Sequence, residues 1–358
     1  MLQQKNLRAA MITLAGLLAM GQAAWAQPRY TVEAIALSVA PGDSYGANAI
    51  NIRGVTAVDH LIPAGGSASY RCTTVAGCER IGALDSNSHH AGTAAYGIND
   101  SGLVVGASPY QFMSRGYLFD GQTTKNLGAF NEGHCGGCNL SSTAYGINNV
   151  GQVVGDGETV DRKWRGFIWQ NDQMQKLGTF GGEESWARAI NDSGDVVGKS
   201  TQADGRMRAF LYRNGKMRNL GTLGGNRSEA LAINAARQVV GCSSVDGEAE
   251  TLAFIYDAGT MTALKPLGGN LACAYGINKA GWVVGSSTVT PGKLDYQGFV
   301  YDGDQVYNLN DTLGDDDRKT WLITEAKAIN KKGQIAATGV NLADGSERAL
   351  VLTPKSPR

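Results

Sequence analysis

One twelve-residue phrase recurs along the chain and constrains what it can fold into. It reads AYGINDSGLVVG at 95–106, AYGINNVGQVVG at 144–155, ARAINDSGDVVG at 187–198 and AYGINKAGWVVG at 274–285. Looser copies are ANAINIRGVTAV at 47–58, ALAINAARQVVG at 230–241 and AKAINKKGQIAA at 326–337. The phrase's Asn falls at Asn51, Asn99, Asn148, Asn191, Asn234, Asn278 and Asn330, with gaps of 48, 49, 43, 43, 44 and 52 residues. Self-similarity at a period near 45 marks a repeat architecture, in which each unit buries its faces against its neighbours.

Within the unit that begins at Ala187, ARAI is a run of small and apolar residues. NDSG follows, with Asn first and Gly fourth, which is the preference of a type I turn. DVVG reads as a second strand, and the loop KSTQADGRM leads to RAFLY at 208–212, an apolar and aromatic third strand. RNGK makes the next turn, MRNLGTL at 217–223 a fourth strand, and GGNRS returns the chain to the next phrase. Four short strands joined by hairpins describe one blade of a β-propeller, with the small residues innermost, where room is least. A β-solenoid fits poorly, because it tolerates little variation in coil length. The fold class read from the sequence is all-β, a seven-bladed β-propeller of four-stranded blades.

The two ends fit one another. YTVEAIAL at 30–37 resembles a fourth strand that precedes the first phrase, and RALVLT at 348–353 resembles a third strand with no fourth behind it. Pairing them completes the last blade and removes two exposed sheet edges.

Residues 1–26 read as a secretory signal: Lys5 and Arg8, an apolar run over 9–20, and Ala24-Trp25-Ala26 as the cleavage site. That run is too short to cross a bilayer as a helix. The mature chain, 27–358, is then one propeller domain, secreted or periplasmic. With 30 Lys and Arg against 32 Asp and Glu beyond the signal, no charge excess invites nucleic acid or an anionic membrane. Six cysteines in an exported chain favour disulfides. Cys72 and Cys78 flank the turn between the third and fourth strands of the first unit. Cys135 and Cys138 share one loop, and Cys242 and Cys273 are placed to bridge adjacent blades.

The repeat, A-x-G-I-N-x-x-G-x-V-V-G, then an aromatic strand, then L-G-T-L-G-G, resembles that of the bacterial extracellular repeat proteins called the HAF family, over 30–353. The triplet that names that family reads RAF, LAF, RGF, QGF and RGY here, without His. The resemblance implies an exported, propeller-like repeat and brings no catalytic residues with it.

Length variation falls on the face carrying the second-to-third-strand loops and the inter-blade links, where a recognition surface is expected. His60, His89, His90 and His134 map there, as solvated loop histidines or as a metal site. Trp164, Trp186 and Trp321 map to the same face and can stack on a sugar or anchor a protein. Trp169 and Trp282 read as core. Asp315-Asp316-Asp317, in the longest link, reads as a solvated loop or a Ca²⁺ ligand set. Glu229 and Glu325, beside inner strands that carry Arg188 and Lys327, form the one candidate acid/base pair. No nucleophile elbow, HExxH or phosphate-binding loop occurs. The leading expectation is a monomeric, non-catalytic propeller without cofactor that binds an extracellular protein or glycan. The alternatives are a hydrolase or lyase acting on extracellular polysaccharide, and a structural surface protein.

Overall fold

The computed structural model describes residues 27–37, 42–62, 66–85, 92–130 and 139–355. The described chain is all-β apart from two short helical turns. Its strands form five separate four-stranded sheets and an eight-stranded path. That path consists of two four-stranded halves joined by a single parallel pair, Met207 with Arg227. Each repeat supplies one meandering antiparallel set. For the unit at Ala187 the strands are Gly181–Ile190, Val196–Gln202, Met207–Arg213 and Lys216–Asn219.

The turns follow their residues. Gly194 N donates to Asn191 O (3.0 Å) and Asn191 N to Asp195 O (3.1 Å), and Gly194 sits at φ +79°, a type I turn closed by a glycine bulge. In the RNGK turn, Asn214 and Gly215 both have positive φ, as a type I′ hairpin requires. The GGNRS segment, expected as a return link, instead extends the next unit's inner strand, which begins at Gly224; the inner strand of the unit at Ala187 likewise begins early, at Gly181.

The core lies between sheets rather than inside one. Successive valines of a strand point to opposite faces, and here both faces are covered, so the Val-Val doublet is buried throughout. Val153 packs with Val105, Leu127, Phe130 and Phe167, whereas Val154 packs with Ala187, Val196 and Phe210 of the following unit. The doublet therefore bolts three repeats together. Phe167, Phe210, Phe254 and Phe299, all essentially inaccessible, pair across the sheet with the Gly of VVG. At Gly155 a Cβ would stand 1.9 Å from Thr143 O and 2.8 Å from the Phe167 ring, so this position has room only for hydrogen. Each such ring contributes about 2–3 kcal/mol by burial.

The N-terminal strand Tyr30–Ala34 pairs antiparallel with Glu347–Pro354, in register from Tyr30 opposite Pro354 to Ala34 opposite Leu350. It completes the sheet of the last repeat, as the sequence predicts, and Tyr30 is fully buried there. Cys72 is bonded to Cys78 across a hairpin, and Cys242 to Cys273 between neighbouring units. Cys135 and Cys138, like the signal segment, lie outside the described residues.

The phrase's Asn does more than make a turn. Asn191 Oδ1 accepts from Ser193 N and Asp195 N (both 3.0 Å), while its Nδ2 donates to Asn234 O of the next unit (3.2 Å). The same donation runs Asn51 to Asn99, Asn99 to Asn148, Asn148 to Asn191, Asn234 to Asn278 and Asn278 to Asn330. It closes with Asn330 Nδ2 to Asn51 O at 2.8 Å. The phrase thus builds a circular hydrogen-bond chain that joins the first repeat to the last.

Candidate functional site

Every inner strand carries a β-bulge at the residue that follows the phrase's first Ala. A bulge re-aims a side chain. The bulged residues are Asn48, Tyr96, Tyr145, Arg188, Leu231, Tyr275 and Lys327. Side chains of neighbouring repeats meet at this level: the Tyr96 and Tyr145 rings lie 5.1 Å apart, the Arg188 guanidinium is 4.4 Å from the Tyr145 ring, and Lys327 Nζ is 4.4 Å from the Tyr275 ring. The phrase's third residue, Gly or Ala, permits this crowding. A Cβ on Gly97 would approach Tyr145 O to 2.8 Å, and one on Gly146 would approach Arg188 O to 3.1 Å.

The residue after VVG adds a second set of polar groups. Asp156 Oδ2 lies 3.5 Å from Arg188 Nη1, Arg188 Nε donates to Glu229 Oε1 at 2.7 Å, and Lys199 Nζ donates to Glu229 Oε2 at 2.9 Å. Four charged groups from three consecutive repeats thus form one cluster, beside the Trp186 ring, which stands 5.3 Å from Lys199 Nζ. In the first repeat Asp59 accepts from Ala95 N (2.7 Å), Asn48 Nδ2 (2.8 Å) and Ser69 Oγ (3.0 Å).

Burial divides these carboxyls. Desolvation pushes Asp156 up to about 7 against the pull of Arg188 and Lys199, with Glu229 adding to the rise. Desolvation likewise lifts Asp59 to about 6, although its three hydrogen bonds oppose it. Glu229 suffers the same burial, but Arg188 and Lys199 overcome it and hold its carboxyl below the usual range. Tyr96 and Tyr275 are raised to about 12, chiefly by desolvation, and remain phenols at neutral pH. The arrangement offers aromatic faces, hydroxyl donors, one ionised carboxylate between two cations, and one carboxyl that titrates near neutrality.

Several expected sites sit differently from their sequence reading. Trp164, Trp186 and Trp321 all lie in strands, and all three are half-buried. Trp164 and Trp321 open their strands, and Trp321 packs beside Tyr30, Leu309 and Ile323. Trp186 alone joins the charged cluster. Trp169 is core; Trp282 lies just ahead of the strand Val283–Thr288, half-buried. His60 lies in the strand Thr56–Ile62, not a loop, stacked on Tyr45 at 4.2 Å with Nε2 3.1 Å from Asp43 Oδ2. His89, His90 and His134 lie outside the described residues. Asp315–Thr320 is a short α-helix, and Asp317 accepts from Val32 N (3.3 Å). Among the described residues no three His, Cys, Asp or Glu side chains converge as metal ligands. Glu229 and Glu325 do not act as a pair: the first is engaged by Arg188 and Lys199, the second by Lys327 at 2.6 Å. Asp59 and Asp156 carry no motif of their own in the sequence; Asp156 follows VVG, and Asp59 stands at the equivalent position after TAV.

A family model described as "Protein of unknown function (DUF3466)" matches residues 57–180 and 180–350. No curated protein matches the chain in sequence. Among solved structures, the chain resembles the β-propeller domain of the trilobed protease from Pyrococcus furiosus, described as having an open velcro topology, with TM-score 0.53 and 10% identity over 87% of this chain and 97% of that one. It also matches the WD40 β-propeller domain of Doa1 (TM-score 0.49, 14% identity, 92% and 98% covered). For TolB from Acinetobacter baumannii the values are 0.46, 13%, 81% and 60%, so this chain spans three-fifths of that protein's length. The first of these likenesses identifies the fold as of the β-propeller class, and nothing finer.

Proposed function

The chain belongs to the family described as "Protein of unknown function (DUF3466)", and we propose that it is an exported, monomeric, seven-bladed β-propeller that binds an extracellular protein or glycan. The ligand seats on the loop face, at the polar mouth formed by Tyr96, Tyr145, Trp186 and Arg188. The observation that carries this reading is the run of inner-strand bulges, which turns aromatic and cationic side chains of successive repeats toward one another. Ring faces flanked by a guanidinium suit sugar rings and protein side chains alike. The two disulfides among the described residues, the reading of 1–26 as a signal and the likeness of the repeats to exported HAF proteins support export.

The test is a glycan array and a pull-down from culture medium with the mature protein, repeated with Tyr145→Ala and Arg188→Ala. Loss of the captured ligand in both variants, each still folded at the temperature of the assay, is the expected result; Arg188→Ala is expected to lower the unfolding midpoint as well, because it leaves Glu229 less well paired. Binding retained by both would place the seat elsewhere.

A second reading, a hydrolase or lyase on polysaccharide, has one observation in its favour: Asp156 is a buried carboxyl poised near neutral pH. Asp156→Asn separates the two. It abolishes turnover in an enzyme and leaves the ligand captured in a binding protein.

A further inference from the structure

The end of the channel opposite the loop face, independent of the proposed seat, carries its own chemistry. Around the Asn ring, the residue after each Asn lines a cavity of about 450 Å³: Ile52, Asp100, Asn149, Asp192, Ala235, Lys279 and Lys331. In three repeats the backbone N–H of this residue is satisfied by the side-chain oxygen of its counterpart in the next repeat. Ile52 N donates to Asp100 Oδ1 (3.2 Å), Asp100 N to Asn149 Oδ1 (2.8 Å) and Asn149 N to Asp192 Oδ1 (2.9 Å). The series then stops for a reason visible in the sequence. The counterparts ahead of Asp192, Ala235, Lys279 and Lys331 are Ala235, Lys279, Lys331 and Ile52, none of which has a side-chain oxygen. Among the described residues, no group accepts a hydrogen bond from these four consecutive N–H groups.

The charge around the ring is divided along the same line. Asp100 and Asp192 bracket Asn149, whose Nδ2 donates to both (3.1 Å each). The remaining arc carries Lys279 and Lys331. Lys331 Nζ reaches Asp100 Oδ2 at 3.2 Å, while Lys279 makes no ion pair among the described residues. Backbone N–H groups left unsatisfied around a concave mouth, with an ammonium beside them, are positioned to take anionic oxygens one by one, as their counterparts take those of Asp100 and Asp192. The three satisfied positions show which acceptor fits this geometry: a carboxylate or amide oxygen.

We propose that this turn-face mouth binds a carboxylate-bearing ligand through the backbone N–H groups of Ala235, Lys279 and Lys331 and the ammonium of Lys279. A carboxylate there continues around the ring the pattern that Asp100 and Asp192 complete internally. The same chemistry can be offered by a small free polycarboxylate or by an acidic segment of another protein.

The probes are citrate and a hexa-aspartate peptide, titrated into the folded chain at low ionic strength and followed by amide NMR. The expected result is saturable shifts at Asp192, Ala235, Lys279 and Lys331, with Ile52, Asp100 and Asn149 little changed. Lys279→Asp would supply an internal carboxylate to Ala235 N, as Asp100 does for Ile52. It should weaken either probe by at least roughly tenfold, the scale of one lost charge-assisted contact. Lys279→Gln, which keeps the N–H groups and removes the charge, should weaken it by a smaller factor. Saturation by citrate alone assigns the site to a small acid, and saturation by the peptide alone to a protein partner. Shifts scattered over the surface lysines, or equal affinity in Lys279→Asp and the parent, would overturn the proposal.

Discussion

Replacing Asn330 by Ala removes the link that closes the Asn ring. Its Nδ2 donates to Asn51 O (2.8 Å) and Gln334 Oε1 (2.9 Å), and its Oδ1 accepts from Lys332 N (2.9 Å) and Gln334 N (3.0 Å). The residue is 5% exposed, so water does not freely replace these partners. A net 0.5–1.5 kcal/mol for each bond gives roughly 2–6 kcal/mol, with the upper half favoured because buried partners are left without a mate. The expected loss is about 4 kcal/mol, against a total stability that for a domain is typically about 5–15 kcal/mol. Urea unfolding followed by tryptophan fluorescence measures it, provided the transition remains two-state with an unchanged slope. Asn330→Asp separates the two halves of the role: it keeps the acceptor toward the turn and loses the donor toward Asn51. It should lose stability too, and more at pH 7 than at pH 4, where a protonated carboxyl can donate again. A loss below about 1 kcal/mol in Asn330→Ala would refute the account, because four bonds of a buried residue would then be worth less than a single ordinary one.

Three further outcomes follow from the fold and the cluster. Deleting residues 30–37 exposes the edge of Glu347–Pro354 and uncovers the pocket of Tyr30, so cooperative unfolding should be lost or its midpoint sharply lowered; an equally stable truncation would contradict the pairing. Asp156 has its folded pKa raised, so its contribution favours folding below about pH 4 and is lost as pH rises through about 7. Over that window stability should fall by up to roughly 4 kcal/mol from this group, and Asp156→Asn should flatten that slope in denaturation measured from pH 4 to 8. Non-reducing peptide mapping should recover Cys72 with Cys78 and Cys242 with Cys273; other partners for these four would break the phasing of the repeats.

The scaffold was legible because it depends on short-range rules repeated many times. Small residues, Asn-x-x-Gly turns and aromatic third strands predict hairpins one unit at a time, and the unmatched strand at 30–37 predicts its own partner. The channel was less legible for a geometric reason. A bulge shifts the register by one residue at Tyr96, Tyr145 or Arg188, and strict alternation along the strand gives no warning of it. Asp156 follows a Val-Val-Gly run and reads as the fraying end of a strand; its significance comes from Arg188, 32 residues away. Trp186 belongs to a strand where a link was expected, because Gly181–Ile190 begins several residues before its phrase. The Asn residues were recognised as turn formers, but a side chain that serves its own turn through one atom and its neighbour through another shows only half its role in sequence.

The pairing of Tyr30–Ala34 with Glu347–Pro354 also governs the order in which the molecule can assemble. Thr31 and Thr353 are partners across 322 residues of sequence. Closing a loop of that length costs about 5 kcal/mol of chain entropy before any contact at the junction repays it. The intermediate repeats, linked by separations of about 45 residues, can stack on one another first and shorten that search. The final sheet must wait for the last strand to leave the ribosome, or the export channel if the chain is secreted. Until then the first strand remains an unmatched edge. The pairing of Tyr30–Ala34 with Glu347–Pro354, the most distant in sequence among the strand pairs, is therefore expected to form late, after the repeats between them have stacked.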